Sequence, residues 1–422
     1  MRRGSTLLRS NALISCQSLV LFLATCSAQP SLKLLHTFGA PGDGFHPFGA
    51  LAFDKSGNLY GTTSEGPGTA CSHYGCGVVY ELSPNADGTW SEKLVHNFDG
   101  TDGSYPVAGV LFDVTGNLYG TTTCAYGGCN GNRGTQFRIS PSQGDDWNLA
   151  TLHFFRGGDD GDSPVARVAF DPLGRVFGTT EYGGKYGNGV VYTSAPVSPF
   201  KWYELIAHVF TGGSDGGGPY SGLVFDKTGA GYGVGYSGGL KNVGTVFKLT
   251  PNKLSFGWTE TVLYSFTGVL GGGKSSDGAG PWGPIALDSD GNLWGTTIAG
   301  GTGGFGTVFK LTHNPDDSWT ESVLHAFQGP DGANPSAGVT FDGAGNLYGT
   351  TSSGGDQGYG TVYILTPSNG QWTETVLHSF TYYDGAAPYS GVVFDSAGNL
   401  YGTAVSGGTY GPNGGVVYEI TP

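Results

Sequence analysis

Charge is the first thing this sequence has little of. Only 12% of its 422 residues are Asp, Glu, Lys or Arg, and the balance is acidic, 33 Asp and Glu against 19 Lys and Arg, for a formal net charge of −14. A chain this acidic repels phosphate backbones, which argues against a nucleic-acid partner. Methionine occurs once and leucine heptads are few, which leaves little material for helices. Beyond residue 30 no apolar run is long enough to cross a bilayer. The P-loop, the His-Glu-x-x-His zinc helix and the dinucleotide fingerprint are also missing, and no cofactor is predicted. Gly235-Tyr236-Ser237-Gly238-Gly239 has the spacing of a nucleophile elbow without its strand–turn–helix setting. Asp288-Ser289-Asp290-Gly291-Asn292 is not an EF-hand, because its glycine is misplaced and its twelfth position is Ala299.

Cysteine is scarce as well. Past the first 30 residues only Cys71, Cys76, Cys124 and Cys129 remain, in two pairs with four residues between partners. Local disulfides pinning two loops are the expected use in an exported protein. A four-thiolate zinc site is the sharper alternative, but such sites favour two intervening residues, so no metal is predicted.

What the chain does have is glycine, 79 residues of it, alongside 38% hydrophobic and 13% aromatic residues. That apolar content excludes a disordered chain, and the absence of a strict every-third-glycine period excludes collagen. Abundant Gly, Thr, Tyr and Val point to short strands and tight turns. Residues 1–28 read as a signal peptide: Arg2, Arg3 and Arg9 precede an apolar stretch ending at Leu23, and Cys26-Ser27-Ala28 offers small residues for cleavage. Loss of that leader takes the net charge to −17, as suits a secreted or cell-surface protein. Leu23-Ala24-Thr25-Cys26 also resembles a lipoprotein box that would anchor Cys26.

The rest repeats itself. Counting from an Asp that follows an apolar residue, copies fall at Asp54, Asp113, Asp171, Asp226, Asp288, Asp342 and Asp395, 53 to 62 residues apart. Such periods mean propellers or solenoids. Each copy holds four strands: one ending at the Asp, a hairpin on Asp-x-x-Gly-Asn, Leu-Tyr-Gly-Thr-Thr, Gly-Thr-Val-Tyr-x-Leu after a Gly-Gly loop, and Trp-Thr-Glu-x-Val-Leu-His-x-Phe. The segment Leu34–Phe38 reads as a fourth strand without a blade, and Val416–Pro422 as a third strand without its fourth. Joining them predicts an all-β, seven-bladed β-propeller over residues 32–422, with four antiparallel strands per blade, closed by the N-terminal strand.

Phe-Asp-x-x-Gly-Asn-Leu-Tyr-Gly-Thr-Thr, followed by Gly-Gly and Gly-Thr-Val-Tyr, resembles the GloVer tandem-repeat proteins, exported bacterial proteins with variable anchoring. The resemblance spans nearly all of residues 32–422 and implies export and a repeat fold, with no activity or catalytic residues attached to it.

Candidate site residues come from two sources. Asp43, Asp102, Asp160, Asp215, Asp277, Asp331 and Asp384 each precede Gly, with Pro four residues on, between the fourth strand of one blade and the first of the next. They could form an acidic rim for cations or hydroxyl-rich ligands, or simply be turn residues. The second source is where the repeat breaks. Arg167 replaces the small residue seen as Gly109, Gly222, Gly338 and Gly391, and on an innermost strand it could reach a channel and hold a carboxylate or sulfate. Trp282 and the insertion Gly268–Gly280 also depart from the pattern, offering an aromatic for sugar stacking. The repeated histidines at 36, 96, 153, 208, 325 and 378, replaced by Tyr264 in one copy, read as packing residues. The function expected is an exported, monomeric binding scaffold for carbohydrate or a protein partner, with no catalytic residue assigned. The rival is a polysaccharide-acting lyase or glycoside hydrolase with acid/base pairs about 5–10 Å apart in the channel.

Overall fold

The computed structural model describes residues 29–71, 74–123, 133–144, 146–198, 201–252 and 257–422. The proposed leader with Cys26, and the pair Cys124 and Cys129, lie outside the described residues.

Every blade is built by the same local chemistry. In blade 1 the inner strand Ala52–Phe53 turns back at Asp54, whose Oδ1 accepts from the backbone N–H groups of Ser56 and Asn58 while Oδ2 accepts from the Asn58 amide. Gly57 supplies the positive φ of that turn. The second strand, Leu59–Thr63, is buried at every residue. Its Gly61 is required by packing, since a Cβ there would lie 2.3 Å from the hydroxyl of Tyr80 on the third strand, Val78–Pro84. The outer strand Trp90–Asn97 completes the sheet, with Pro84 opposite Trp90.

Seven antiparallel sheets follow this plan. In the last, Val393–Phe394, Leu400–Ala404 and Val416–Thr421 are joined by Ser31–Thr37 from the other end of the chain, Ser31 opposite Thr421 and Thr37 opposite Val416. The ring is therefore closed as the sequence predicts. Blade 5 departs from the plan. The end of its glycine-rich insertion forms an extra strand, Gly278–Pro281, paired with the lengthened second strand Leu293–Gly300, so the insertion is partly sheet rather than a bare loop.

The cores lie between blades. Tyr60 of blade 1 takes Phe112 and Trp147 of blade 2 edge-on, at centroid distances of 5.1 and 5.8 Å, and Tyr401 of blade 7 meets Phe53 and Trp90 of blade 1 in the same way. Buried threonines stitch the inner strands together. Thr62, Thr121, Thr179, Thr296 and Thr350 each donate to a backbone carbonyl of the next blade, and Thr403 donates to the Gly49 carbonyl across the closure. Each such bond contributes about 1 kcal/mol. Cys71 and Cys76 are disulfide-bonded in the loop between the second and third strands of blade 1. No helix among the described residues is long and apolar enough to cross a membrane.

Candidate functional site

The segment entering each inner strand runs in strict register from a proline to the hairpin aspartate. The residue after the proline is Phe48, Val107, Val165, Tyr220, Trp282, Ser336 and Tyr389 in blades 1 to 7. Two positions further on stand Ala50, Gly109, Arg167, Gly222, Pro284, Gly338 and Gly391. These segments line a central cavity of about 900 Å³, within the range of small-molecule sites. Its wall is mostly Gly, Ala, Val and Ser, and the inner backbones lie close together there. A Cβ on Gly109 would sit 2.1 Å from the Ala50 carbonyl oxygen, and one on Gly222 would sit 2.2 Å from that of Arg167.

Four aromatics mark the mouth in two pairs. Tyr220 and Trp282 stack face to face at 3.9 Å and 11°, braced edge-on by Tyr236, while Phe48 and Tyr389 meet at 5.7 Å. The first pair belongs to blades 4 and 5 and the second to blades 7 and 1, on opposite sides of the ring. Tyr220 donates its hydroxyl to Glu181, and burial followed by that bond pushes the phenol well above its ordinary range.

Arg167 lies in the same cavity, on blade 3. Its Nε is sealed from solvent without a hydrogen-bond partner, and burial pushes the guanidinium down to about 10. Arg167 and Trp282, chosen separately from the sequence, thus meet in one site. Sequence reasoning missed Phe48, Tyr220, Tyr389 and Glu181. The signal available for the three aromatics was the position after the repeated proline, which is aromatic in blades 1, 4, 5 and 7 and Val or Ser in the others.

The seven Asp-Gly aspartates are elsewhere. None lines the cavity. Each faces the repeated fourth-strand residue of its own turn: His36–Asp43, His96–Asp102, His153–Asp160, His325–Asp331 and His378–Asp384 share hydrogen bonds of 2.7 to 3.2 Å. Tyr264 donates to Asp277 at 3.1 Å, and His208 approaches Asp215 at 3.6 Å. Burial works to raise the Asp331 and Asp384 carboxyls, but the histidine bond and a backbone N–H outweigh it and hold both below the usual range.

A glutamate from the next blade's outer strand, two residues after its tryptophan, leans on several of these pairs. Glu204, Glu260, Glu321 and Glu374 are raised to about 7, foremost by burial, with the neighbouring aspartate adding to the rise. Glu92 is raised for the same reasons, and all five leave a buried Oε1 without a partner. The ligand atoms of His153, Asp160 and Glu204 lie within 4.8 Å of one another, as do those of His325, Asp331 and Glu374, so both sets could hold a metal ion. Tyr264 stands in the same place against Asp277 and Glu321, an arrangement that packs without one.

The family model described as the Gloeobacter/Verrucomicrobia repeat matches residues 20–196, 69–276 and 269–422. No curated protein matches the sequence. Among solved structures, a Bacteroides uniformis protein assigned as a 6-phosphogluconolactonase is 16% identical at a TM-score of 0.50, covering 77% of this chain and 83% of its own. A Thermus thermophilus protein assigned as an oxidoreductase of the glucose dehydrogenase kind is 15% identical at a TM-score of 0.42, covering 93% of this chain and 100% of its own. At 16% identity the likeness to the Bacteroides uniformis protein is one of fold alone.

Proposed function

Because the chain belongs to the Gloeobacter/Verrucomicrobia repeat family, which brings a repeat fold and no assigned chemistry, we propose its function from the site itself: it is an exported scaffold that binds carbohydrate at the mouth of its central channel. The observation that carries the reading is the two aromatic pairs, Tyr220–Trp282 and Phe48–Tyr389, which line one cavity from blades on opposite sides of the ring. Aromatic rings lining a cleft suit the C–H faces of a pyranose ring, whose slightly positive hydrogens meet the negative face of an aromatic. Export is supported by the basic and apolar leader sequence and by the Cys71–Cys76 disulfide. Release into the medium and retention through Cys26 are two forms of the same proposal.

Binding without turnover is favoured by the composition of the cavity wall. Glycoside hydrolysis ordinarily uses two carboxyl groups flanking the bond. Glu181 is the one carboxylate among the described lining residues, and it already accepts from Tyr220. The aspartates that could have formed acid/base pairs are turned to their histidines at the blade junctions.

The test is depletion of the purified protein from solution by insoluble polysaccharides such as cellulose, chitin, xylan and pectate gel. Selective depletion by one of them is expected, with at least about tenfold weaker binding for Trp282→Ala, the loss that removing one well-packed aromatic contact brings. No depletion by any of the panel would overturn the carbohydrate reading and point to a protein partner.

A further inference from the structure

Six of the seven positions two residues below the mouth are small or cyclic, and only blade 3 departs, with Arg167. The departure is costly to hold. The guanidinium lies in the channel wall with a sealed, unpaired Nε, and it has no ion pair, hydrogen bond or ring contact among the described residues. Other arginines are settled by partners: Arg133 pairs with Asp162, Arg175 pairs with Asp171 while lying over Trp258, and Arg138, whose Nε is likewise sealed, meets the Tyr119 hydroxyl. Glu181, which shares the cavity with Arg167, is bonded to Tyr220 instead. A half-buried cation with a sealed Nε and no partner in the protein is a poor structural element and a good receptor for an anion.

We propose that the channel receives an acidic sugar end-on, with the carboxylate of a hexuronic acid residue forked onto the Arg167 guanidinium below the two aromatic pairs. The inference rests on the carbohydrate reading above and specifies its ligand. One isolated guanidinium, in a protein of net charge −14, matches a monoanion; a phosphate dianion would leave surplus negative charge beside Glu181. The planar fork of arginine matches the two oxygens of a carboxylate. Depth agrees as well. Arg167 stands two residues below the position of the mouth aromatics, at most about 7 Å along an extended chain, so a ring seated between the aromatics brings its acidic substituent to the guanidinium.

The experiment titrates the protein with galacturonate, glucuronate and mannuronate disaccharides, their methyl esters and a sulfated galactobiose, following Trp fluorescence and heat. The esters keep the shape and remove the charge. One of the acids is expected to bind at least about tenfold more tightly than its ester, the factor an ordinary charge-assisted hydrogen bond gives, and to weaken as salt is raised. Arg167→Gly restores the residue that four other blades carry there, and Arg167→Met keeps the bulk without the charge; both should bring acid binding down to the level of the ester. Equal affinity for acid and ester, or variants that bind the acid as the parent does, would overturn the inference while leaving the carbohydrate reading in place. Tighter binding of the sulfated sugar would overturn the carboxylate assignment. If no member of the set bound, the inference would fail, and the carbohydrate reading would stand or fall on the polysaccharide depletion alone.

Discussion

Gly222 and Gly391 occupy the same place in two blades, yet the space around them differs. A Cβ on Gly222 would stand 2.2 Å from the Arg167 carbonyl oxygen, whereas one on Gly391 would find its nearest atom 3.6 Å away, at the Gly338 carbonyl. Gly222→Ala must therefore push the inner segments of blades 3 and 4 apart, at a cost of about 1–3 kcal/mol. Gly391→Ala should change stability by less than about 0.5 kcal/mol. Chemical denaturation of the two variants measures the contrast, and equal losses would show that the close approach at Gly222 relaxes freely. At this scale the sequence is informative about columns and silent about distances. The column of small residues is visible in an alignment of the copies, and so is Arg167 as its exception. That the column lies against the neighbouring backbone is not visible, because the clash is with a residue some 55 positions away. The same limit hides Phe48, Tyr220 and Tyr389. Each is an unremarkable aromatic in its own copy, and only the ring brings them into one cavity with Trp282.

At the scale of the outer strands, the contact between blades carries a built-in pH dependence. Glu260 illustrates it: burial and then Asp215 raise its carboxyl to about 7, and its Oε1 has no hydrogen-bond partner. A carboxyl held above its unfolded value of about 4.3 binds its proton more tightly in the native state, so native stability is greatest below that value, declines as pH rises toward about 7, and stays at the lower level above. Glu204, Glu321 and Glu374 act in the same sense. Asp331 and Asp384 act oppositely, since their depressed carboxyls stabilise the fold above about pH 4 and lose that contribution in stronger acid. Thermal stability should accordingly peak in mild acid. Glu260→Gln removes the charge and offers an N–H toward Asp215. It should raise the melting temperature at pH 8.5 by roughly 1–3 °C and leave it nearly unchanged at pH 5. Melting curves at the two pH values check this, and a gain of the same size at both would rule out titration as the cause. The repeated Trp-x-Glu and His-to-Asp-Gly spacings are both plain in the sequence. Their coupling is not, because the glutamate of one copy meets the histidine–aspartate pair of the copy before it.

At the scale of the whole ring, the fold was the most legible feature, because a sevenfold repeat with complementary end segments leaves few ways to satisfy every strand edge. Strand Ser31–Thr37 is where that logic becomes physical. It pairs with Val416–Thr421, buries Leu35, and leads into the fully buried Phe38. Among the described residues it is also the only strand that ties blade 7 to blade 1 through the chain itself. Beyond it the junction is held by the His46 N–H donating to the Gly414 carbonyl, by Tyr401 against Phe53 and Trp90, and by Thr403 to the Gly49 carbonyl. Removing residues 29–38 would forfeit the burial of Leu35 and Phe38, about 3–6 kcal/mol together, against a typical total stability of about 5–15 kcal/mol. It would also expose the Val416–Thr421 edge as a template for another copy. The truncated protein is expected to melt well below the parent and to self-associate, seen by light scattering after size exclusion. A synthetic peptide of residues 29–38 added in trans should bind the vacated edge and restore both the melting temperature and the monomer. If the truncated chain stayed monomeric and melted as the parent does, closure would rest on the His46–Gly414 bond and the side-chain contacts, and the N-terminal strand would be an accessory to a ring already shut.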